Sequence, residues 1–345
     1  MPNEPIRIAV LGGGYGAKVP LPVLAGLDEF EPVAVWSRTP QRACEIAEKH
    51  SLELGTSDVD ELLAHPGLEA VHVATPVATH AEIAIAAARR GLHVLVDKPV
   101  ALDLTEARAV RDAVIEAGVV GAVNYGRRFQ ETRQTLLQRV AEVAGAPRMV
   151  SISLVFDDHA LPASRPFTWV QDATLGGGRL QGYGVHDLDL LLHAFGEVDS
   201  VAAASEVGVT QRNAPDGTPR RVTAEDAYVI VIRFRGGGLG HVSLTATARH
   251  KRGDVIEVYG SEGSVRLDAD KRLHWGRAGE ELQVDGPLEA DSKQAYAAVA
   301  RNLHAAIRDG ATPDPGLDEG LRVQALFDAI RRADAERRWI EPEAV

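Results

Sequence analysis

The chain has 345 residues, 45% of them hydrophobic, enough for two domains with buried cores. Lys and Arg total 37 against 49 Asp and Glu, a formal net charge of −12 that disfavours nucleic-acid backbones and anionic membrane surfaces as partners. A single cysteine, Cys44, excludes an internal disulfide framework and any zinc site built on two thiolates, and it suits a reducing cytoplasm. No uncharged apolar stretch reaches the length of a membrane span. The run Ile6–Leu11, with charged Glu4 and Arg7 at its start and glycines at its end, reads as a buried strand and not as a signal peptide.

From that strand onward the first third alternates short apolar segments with helical ones. Val33–Trp36, Ala70–Ala74, His93–Val96 and Val119–Val123 read as further strands. The stretches Lys18–Leu27, Pro40–His50, Asp58–Ala64, Thr79–Arg90 and Thr105–Gly118 read as helices. Thr79 with Glu82 three residues on has the form of a capping box, and Gly91 supplies a stop. Strands that are apolar throughout and separated by helices predict a doubly wound parallel sheet covered on both faces. Beyond residue 147 the rhythm changes. Met149–Phe156, Val198–Val207, Ala227–Phe234, Leu239–Thr247, Val255–Tyr259 and Ser264–Leu267, joined by turns such as Arg235–Gly238 and Gly260–Gly263, predict a large, mostly antiparallel open sheet. A helical insert near Asp187–Phe195 interrupts it, and Asp291–Arg338 returns to helical periodicity and packs back on the rest. The expected organisation is an α/β chain with a dinucleotide-binding domain over residues 1–124 and a substrate and oligomerisation domain over 125–345.

Gly12-Gly13-Gly14-Tyr15-Gly16-Ala17 follows the first strand and opens a helix, which places Gly12, Gly14, Tyr15, Gly16 and Ala17 in the context a G-x-G-x-x-(G/A) fingerprint requires. Residues without side chains let backbone N–H groups approach a pyrophosphate, and its charge is favoured at a helix N-terminus. A carboxylate closing the second strand would bond the ribose 2′-hydroxyl of NAD. The sequence there is Trp36-Ser37-Arg38-Thr39. Ser37 and Arg38 suit a 2′-phosphate, so the expected cofactor is NADP, with NAD possible.

Other clusters carry weaker signals. Adjacent residues on a strand face opposite sides, so Asp157-Asp158-His159 does not read as a metal site, and no metal is expected. The run Arg249-His250-Lys251-Arg252 reads as a solvated loop; facing a pocket, it would favour a phosphorylated or carboxylated substrate.

Ala74-Thr75-Pro76 with His80, Val94-Leu95-Val96-Asp97-Lys98-Pro99, and Gly176-Gly177-Gly178 ahead of Gly184-Val185-His186-Asp187-Leu188-Asp189 occur in this order after the glycine loop. Together these motifs resemble the Gfo/Idh/MocA family (glucose–fructose oxidoreductase, inositol dehydrogenase, rhizopine catabolism) over most of the chain. The resemblance implies a Rossmann domain followed by an α/β domain whose open sheet commonly forms the oligomer interface, here a homodimer or homotetramer. It implies a nicotinamide cofactor and a sugar, polyol or related carbonyl compound as substrate. It carries the family lysine onto Lys98, with Asp97 in place of the usual Glu, and Asp97 either orients the lysine or touches the cofactor. Thr75, Pro76 and His80 become cofactor-side residues, and Arg165, Trp169 and Asp172 lie in a loop that borders the substrate. Arg127 and Arg128 match a family Arg-Phe element.

The family pattern pairs an aspartate with a histidine four residues later. His186 takes the histidine's place, but Gly182 stands where the aspartate belongs. Three readings are open. His186 remains the general acid/base with support from another carboxylate, Asp189, Asp172 or Asp157; Tyr183 takes over beside Lys98; or the reaction is lost. The expected function is an NADP-preferring dehydrogenase or reductase; the alternatives are a cofactor-binding regulator that has lost catalysis and a nicotinamide-dependent glycosidase of the same fold.

Overall fold

The computed structural model describes residues 4–163 and 165–345. Six strands form the first sheet: β1 (Ile6–Leu11), β2 (Phe30–Trp36), β3 (Leu54–Thr56), β4 (Ala70–Val73), β5 (His93–Asp97) and β6 (Gly121–Asn124). All are parallel, in the order β3-β2-β1-β4-β5-β6. Helices α1 (Tyr15–Lys18), α2 (Pro20–Leu24), α3 (Pro40–His50), α4 (Val59–Leu63), α5 (His80–Arg89) and α6 (Leu104–Ala117) link them. The sheet is a doubly wound one whose order reverses between β1 and β4, the place where such sheets take ligands.

Two local expectations are corrected. The helix expected over Lys18–Leu27 begins earlier and is broken at Val19, because Pro20 disfavours helical backbone in the residue before it. Thr79 forms no capping box: its hydroxyl donates to Pro76 O and Thr75 Oγ1, both at 2.8 Å, and closes a 3₁₀ turn that runs into α5. The three-residue β3, with glycine at its centre, was not predicted from the sequence pattern.

The second sheet has eight strands: β7 (Pro147–Val155), β8 (Val198–Glu206), β11 (Ala227–Phe234), β12 (Leu239–Thr245), β13 (Gly253–Gly260), β14 (Gly263–Leu267), β15 (Leu273–Arg277) and β16 (Gln283–Asp285). A separate pair, β9 (Gln211–Asn213) and β10 (Pro219–Arg221), forms a small ribbon. Neighbours in the large sheet are antiparallel except β7 and β12. Burial alternates along β11 and β12, so one face is covered and the other open. On the open face Leu239, Met149 and Tyr259 stand opposite one another across three strands, each more than two-fifths exposed.

Helices α7 (Glu131–Val143) and α8 (Val185–Phe195) accompany this sheet, and α8 is entered through a π-helical turn, Leu180–Gly184. A buried ion pair joins the two helices, Arg133 Nη2 lying 3.0 Å from Asp187 Oδ1, both side chains almost wholly removed from solvent.

Two long helices follow, α9 (Ser292–Asp309) and α10 (Leu317–Glu336). The chain forms two compact units, one comprising residues up to Phe129 together with Asp291–Gln324, the other Gln130–Ala290 with Ala325–Val345. Tyr296, Val299, Ala300 and Leu303 of α9 thus share one apolar cluster with Ile6, Leu21, Phe30 and Leu95. Among the described residues no helix is long and apolar enough to cross a membrane.

Removing one partner of a buried pair strands the other's charge, a cost of about 3–5 kcal/mol. Arg133→Met alone should therefore lower stability by that order in denaturant titration, whereas Arg133→Met with Asp187→Leu should recover most of it. Equal losses for the single and double variants would show that the pair's charge is immaterial.

Candidate functional site

At the carboxyl edge of the parallel sheet, the turn after β1 lies against the turn after β4. Gly12 has φ +151°, and a Cβ there would fall 2.4 Å from the Ala74 carbonyl oxygen. Ala74 N–H in turn donates to Leu11 O at 2.8 Å. Gly16 is equally constrained, its Cβ position meeting Val10, whereas the Cβ position of Gly14 opens on empty space. Open space over the main chain is what the fingerprint expects of its second glycine. Ala17 is buried beneath the turn. Ser37 is buried as well, its hydroxyl beneath Gly13, while Arg38 is exposed at the end of β2.

The next layer is built on Asp97 and Lys98 at the end of β5. Asp97 Oδ1 accepts from the Lys98 N–H at 3.0 Å and from the Asn124 amide at 3.3 Å. Burial holds the Lys98 ammonium below its ordinary pKa; Asp97 pulls it back up, and Arg127 adds to the depression. Arg128 is paired with Asp314 at 2.7 Å. The peptide bond between Lys98 and Pro99 is cis. His80 is fully buried, with Nδ1 2.9 Å from Pro99 O and Nε2 2.9 Å from Thr75 O. Both ring edges face main chain, so His80 braces the Thr75-Pro76 turn against the segment after Lys98; this geometry accounts for it without a cofactor contact. Desolvation pushes the Tyr15 hydroxyl up to about 12, with Asp97 adding to the rise and a hydrogen bond with Asn124 opposing it.

Sequence reasoning missed a pair beneath this layer. Tyr296 of α9 bonds His72 of β4, Oη to Nδ1 at 3.1 Å, and the rings stack with centroids 5.4 Å apart. Burial pushes His72 down to about 4 and Tyr296 well above its ordinary value. The partners are 224 positions apart, so no local pattern announces them.

In the other unit, His186 stands half-buried in the first turn of α8. Tyr183, in the π-helical turn before it, packs on Phe156 with ring centroids 5.1 Å apart. Gly182 carries nothing within 4 Å of its Cβ position, so the place of the missing carboxylate is empty space. Asp172 caps the next 3₁₀ turn, accepting from Thr174 N–H at 2.9 Å and its hydroxyl at 2.7 Å, which accounts for its position without a substrate. Trp169 is half-buried in the preceding turn, where Thr168 and Gln171 form a capping box. Arg165 is exposed and pairs with Asp158 at 2.9 Å. Arg212, another residue the sequence did not flag, is 1% exposed and donates to the carbonyls of His159, Leu161, Pro162 and Arg165, folding that loop around its guanidinium.

The model of the Gfo/Idh/MocA oxidoreductase family, NAD-binding Rossmann fold, matches residues 6–125, and that of its C-terminal α/β domain matches residues 142–341. This chain belongs to the Gfo/Idh/MocA family. Relatives in the family include levoglucosan dehydrogenase of Pseudarthrobacter phenanthrenivorans, 25% identical with 97% of this chain and 98% of the relative covered. Inositol 2-dehydrogenase of Rhizobium meliloti is 26% identical, again over 97% and 98%. A solved structure of levoglucosan dehydrogenase in complex with NADH and L-sorbose superposes with a TM-score of 0.89 at 25% identity, covering 99% of this chain and all of that one.

The buried histidine beneath the cofactor edge gives a pH signature. His72 is held near 4 when folded against 6.5 ordinarily, so the unfolded chain binds the extra proton between those values, and stability falls as pH drops through that window. Its share is about 3 kcal/mol. Denaturant titrations of wild type and His72→Asn at pH 7, 5.5 and 4 should show a shallower decline in the variant; parallel declines would contradict the assignment.

Proposed function

We propose that this family member is a nicotinamide-dependent dehydrogenase or reductase acting at a hydroxyl or carbonyl carbon of a sugar-like small molecule, with NADP preferred. One observation carries the reading: the open main chain at Gly14 lies at the sheet's reversal point, on the same edge as the depressed amine of Lys98. These residues fit a dinucleotide. The Gly12–Gly16 turn, Thr75 and Pro76 would hold it, and when bound it supplies hydride transfer. The NADP preference rests on exposed Arg38 and on the lack of a carboxylate at the end of β2, Ser37 being buried beneath Gly13. The solved structures of levoglucosan dehydrogenase hold NADH, which makes NADH the comparison the test must include.

Lys98 donates a hydrogen bond to the substrate oxygen and stabilises the negative charge that gathers there. Asp97 fixes the lysine's main chain through its N–H and offsets the cost of burying the ammonium. His186 exchanges the hydroxyl proton as general acid and base. With no side chain at position 182 the imidazole receives no carboxylate from the preceding turn, and the phenol of Tyr183 is the neighbouring alternative donor. In this reading residues 1–124 take the cofactor and 125–345 the substrate and subunit contacts. The exposed row Leu239, Met149 and Tyr259 supports pairing of a second copy on the open sheet face, in a cytoplasmic homodimer or homotetramer.

Fluorescence titration with NADPH and NADH side by side tests the cofactor. Arg38→Asp should weaken NADPH at least tenfold and spare NADH; equal loss of both would remove the NADP assignment. Lys98→Met should bind cofactor normally and lose most turnover in a screen of polyols and sugars. A wild-type chain that binds cofactor but turns nothing over, with or without Gly182→Asp, would instead be a regulator.

A further inference from the structure

The loop after β7 and the turn before α8 gather cations around one carboxylate. Asp158 gives one oxygen to the Arg165 guanidinium at 2.9 Å and the other to Arg179. Arg179 also lies over the Phe156 ring, 5.9 Å from its centroid, and the same ring packs on Tyr183. Arg212 adds a third positive charge, its donors spent on main-chain carbonyls. Asp226 faces Arg212 but is taken by the N–H groups of Gly208 and Val209. Glu225, beside the same turn, is buried, accepts from Leu180 N–H at 2.8 Å, and is held above its ordinary pKa by that burial. Two polar atoms in this cluster have no hydrogen-bond partner among the described residues: Arg179 Nε and Nε2 of His159, a side chain 4% exposed. Burial and the arginines, Arg179 first, depress His159.

We propose that Arg165 and Arg179, flanking Asp158, form a recognition site for an anionic oxyacid group, a carboxylate or phosphate, carried by the substrate. This rests on the dehydrogenase reading and narrows it to acidic sugar derivatives. Guanidinium forks suit such groups, and Asp158 shows the pair already engaging a carboxylate. Gly182 lies one turn after Gly178, its N–H donating to Gly178 O at 2.9 Å, and it puts no further carboxylate into the turn that follows Arg179.

Calorimetric titration of the full chain, with and without saturating NADPH, separates the possibilities using D-gluconate, glucose 6-phosphate and neutral D-glucitol as probes. One of the anions should bind at least about tenfold more tightly than glucitol, and the preferred one names the source; charged hydrogen bonds are of that strength. Arg179→Gln and the exposed-site variant Arg165→Gln should each erase most of the preference, with thermal midpoint and NADPH affinity as checks on folding. Asp158→Asn should keep or sharpen it, since a competing carboxylate is removed, and Gly182→Asp should weaken the anion while sparing glucitol. Equal binding of the three probes by wild type, or parallel weakening of all three in Asp158→Asn and Arg179→Gln, would overturn the proposal and make the cluster a structural brace. Turnover of neutral polyols without anion preference would defeat this proposal and leave the dehydrogenase reading standing. Anion binding with neither NADPH nor NADH bound would keep the arginine pair as an anion site and remove the dehydrogenase reading.

Discussion

The carboxylate of Asp97 is the charge around which the edge of the parallel sheet is arranged. Its field acts on Lys98, Tyr15, Tyr296, His72 and His80, in every case favouring the protonated form. For Lys98 and the two histidines this opposes burial, and for the two phenols it adds to burial. The result is an edge where the charge of Asp97 offsets part of what burial costs the lysine and adds to the rise of both phenols. Asn124 and the Lys98 main chain hold the carboxylate in place, so the field has a fixed origin.

Sterics at the same edge are as strict. A methyl group at Gly12 would enter the Ala74 carbonyl, so the two turns can lie this close only with glycine there. Preorganisation of this kind is what a dinucleotide site needs, because a turn already shaped for a phosphate loses no conformational freedom on binding. His80 extends the same principle to the next turn by tying two main-chain segments through one ring.

How far the sequence could be read depended on the range of the interactions. Ile6–Leu11, Pro40–His50 and Ala227–Phe234 carry their periodicity and punctuation locally, and they form as the pattern indicates. The glycine loop is legible because a few adjacent residues state a backbone requirement, whereas the Asp97-Lys98-Pro99 segment stands out only through its resemblance to a family motif. Thr79 misled because its hydroxyl found the nearer Pro76 carbonyl and Thr75, in place of the helix end. Arg212, Arg179 and the His72–Tyr296 pair were invisible for another reason: each acts on residues that only the folded chain brings near, and an isolated arginine or tyrosine looks like any other.

The first unit is discontinuous, and this bears on how the chain emerges from the ribosome. Domains of a nascent chain generally fold in the order they are made. Here the parallel sheet is complete by Asn124, yet the face receiving Tyr296, Val299 and Leu303 waits for α9, made after the whole antiparallel sheet. During synthesis the early sheet therefore carries an uncovered apolar surface, which makes that interval the one in which a chaperone would be of most use.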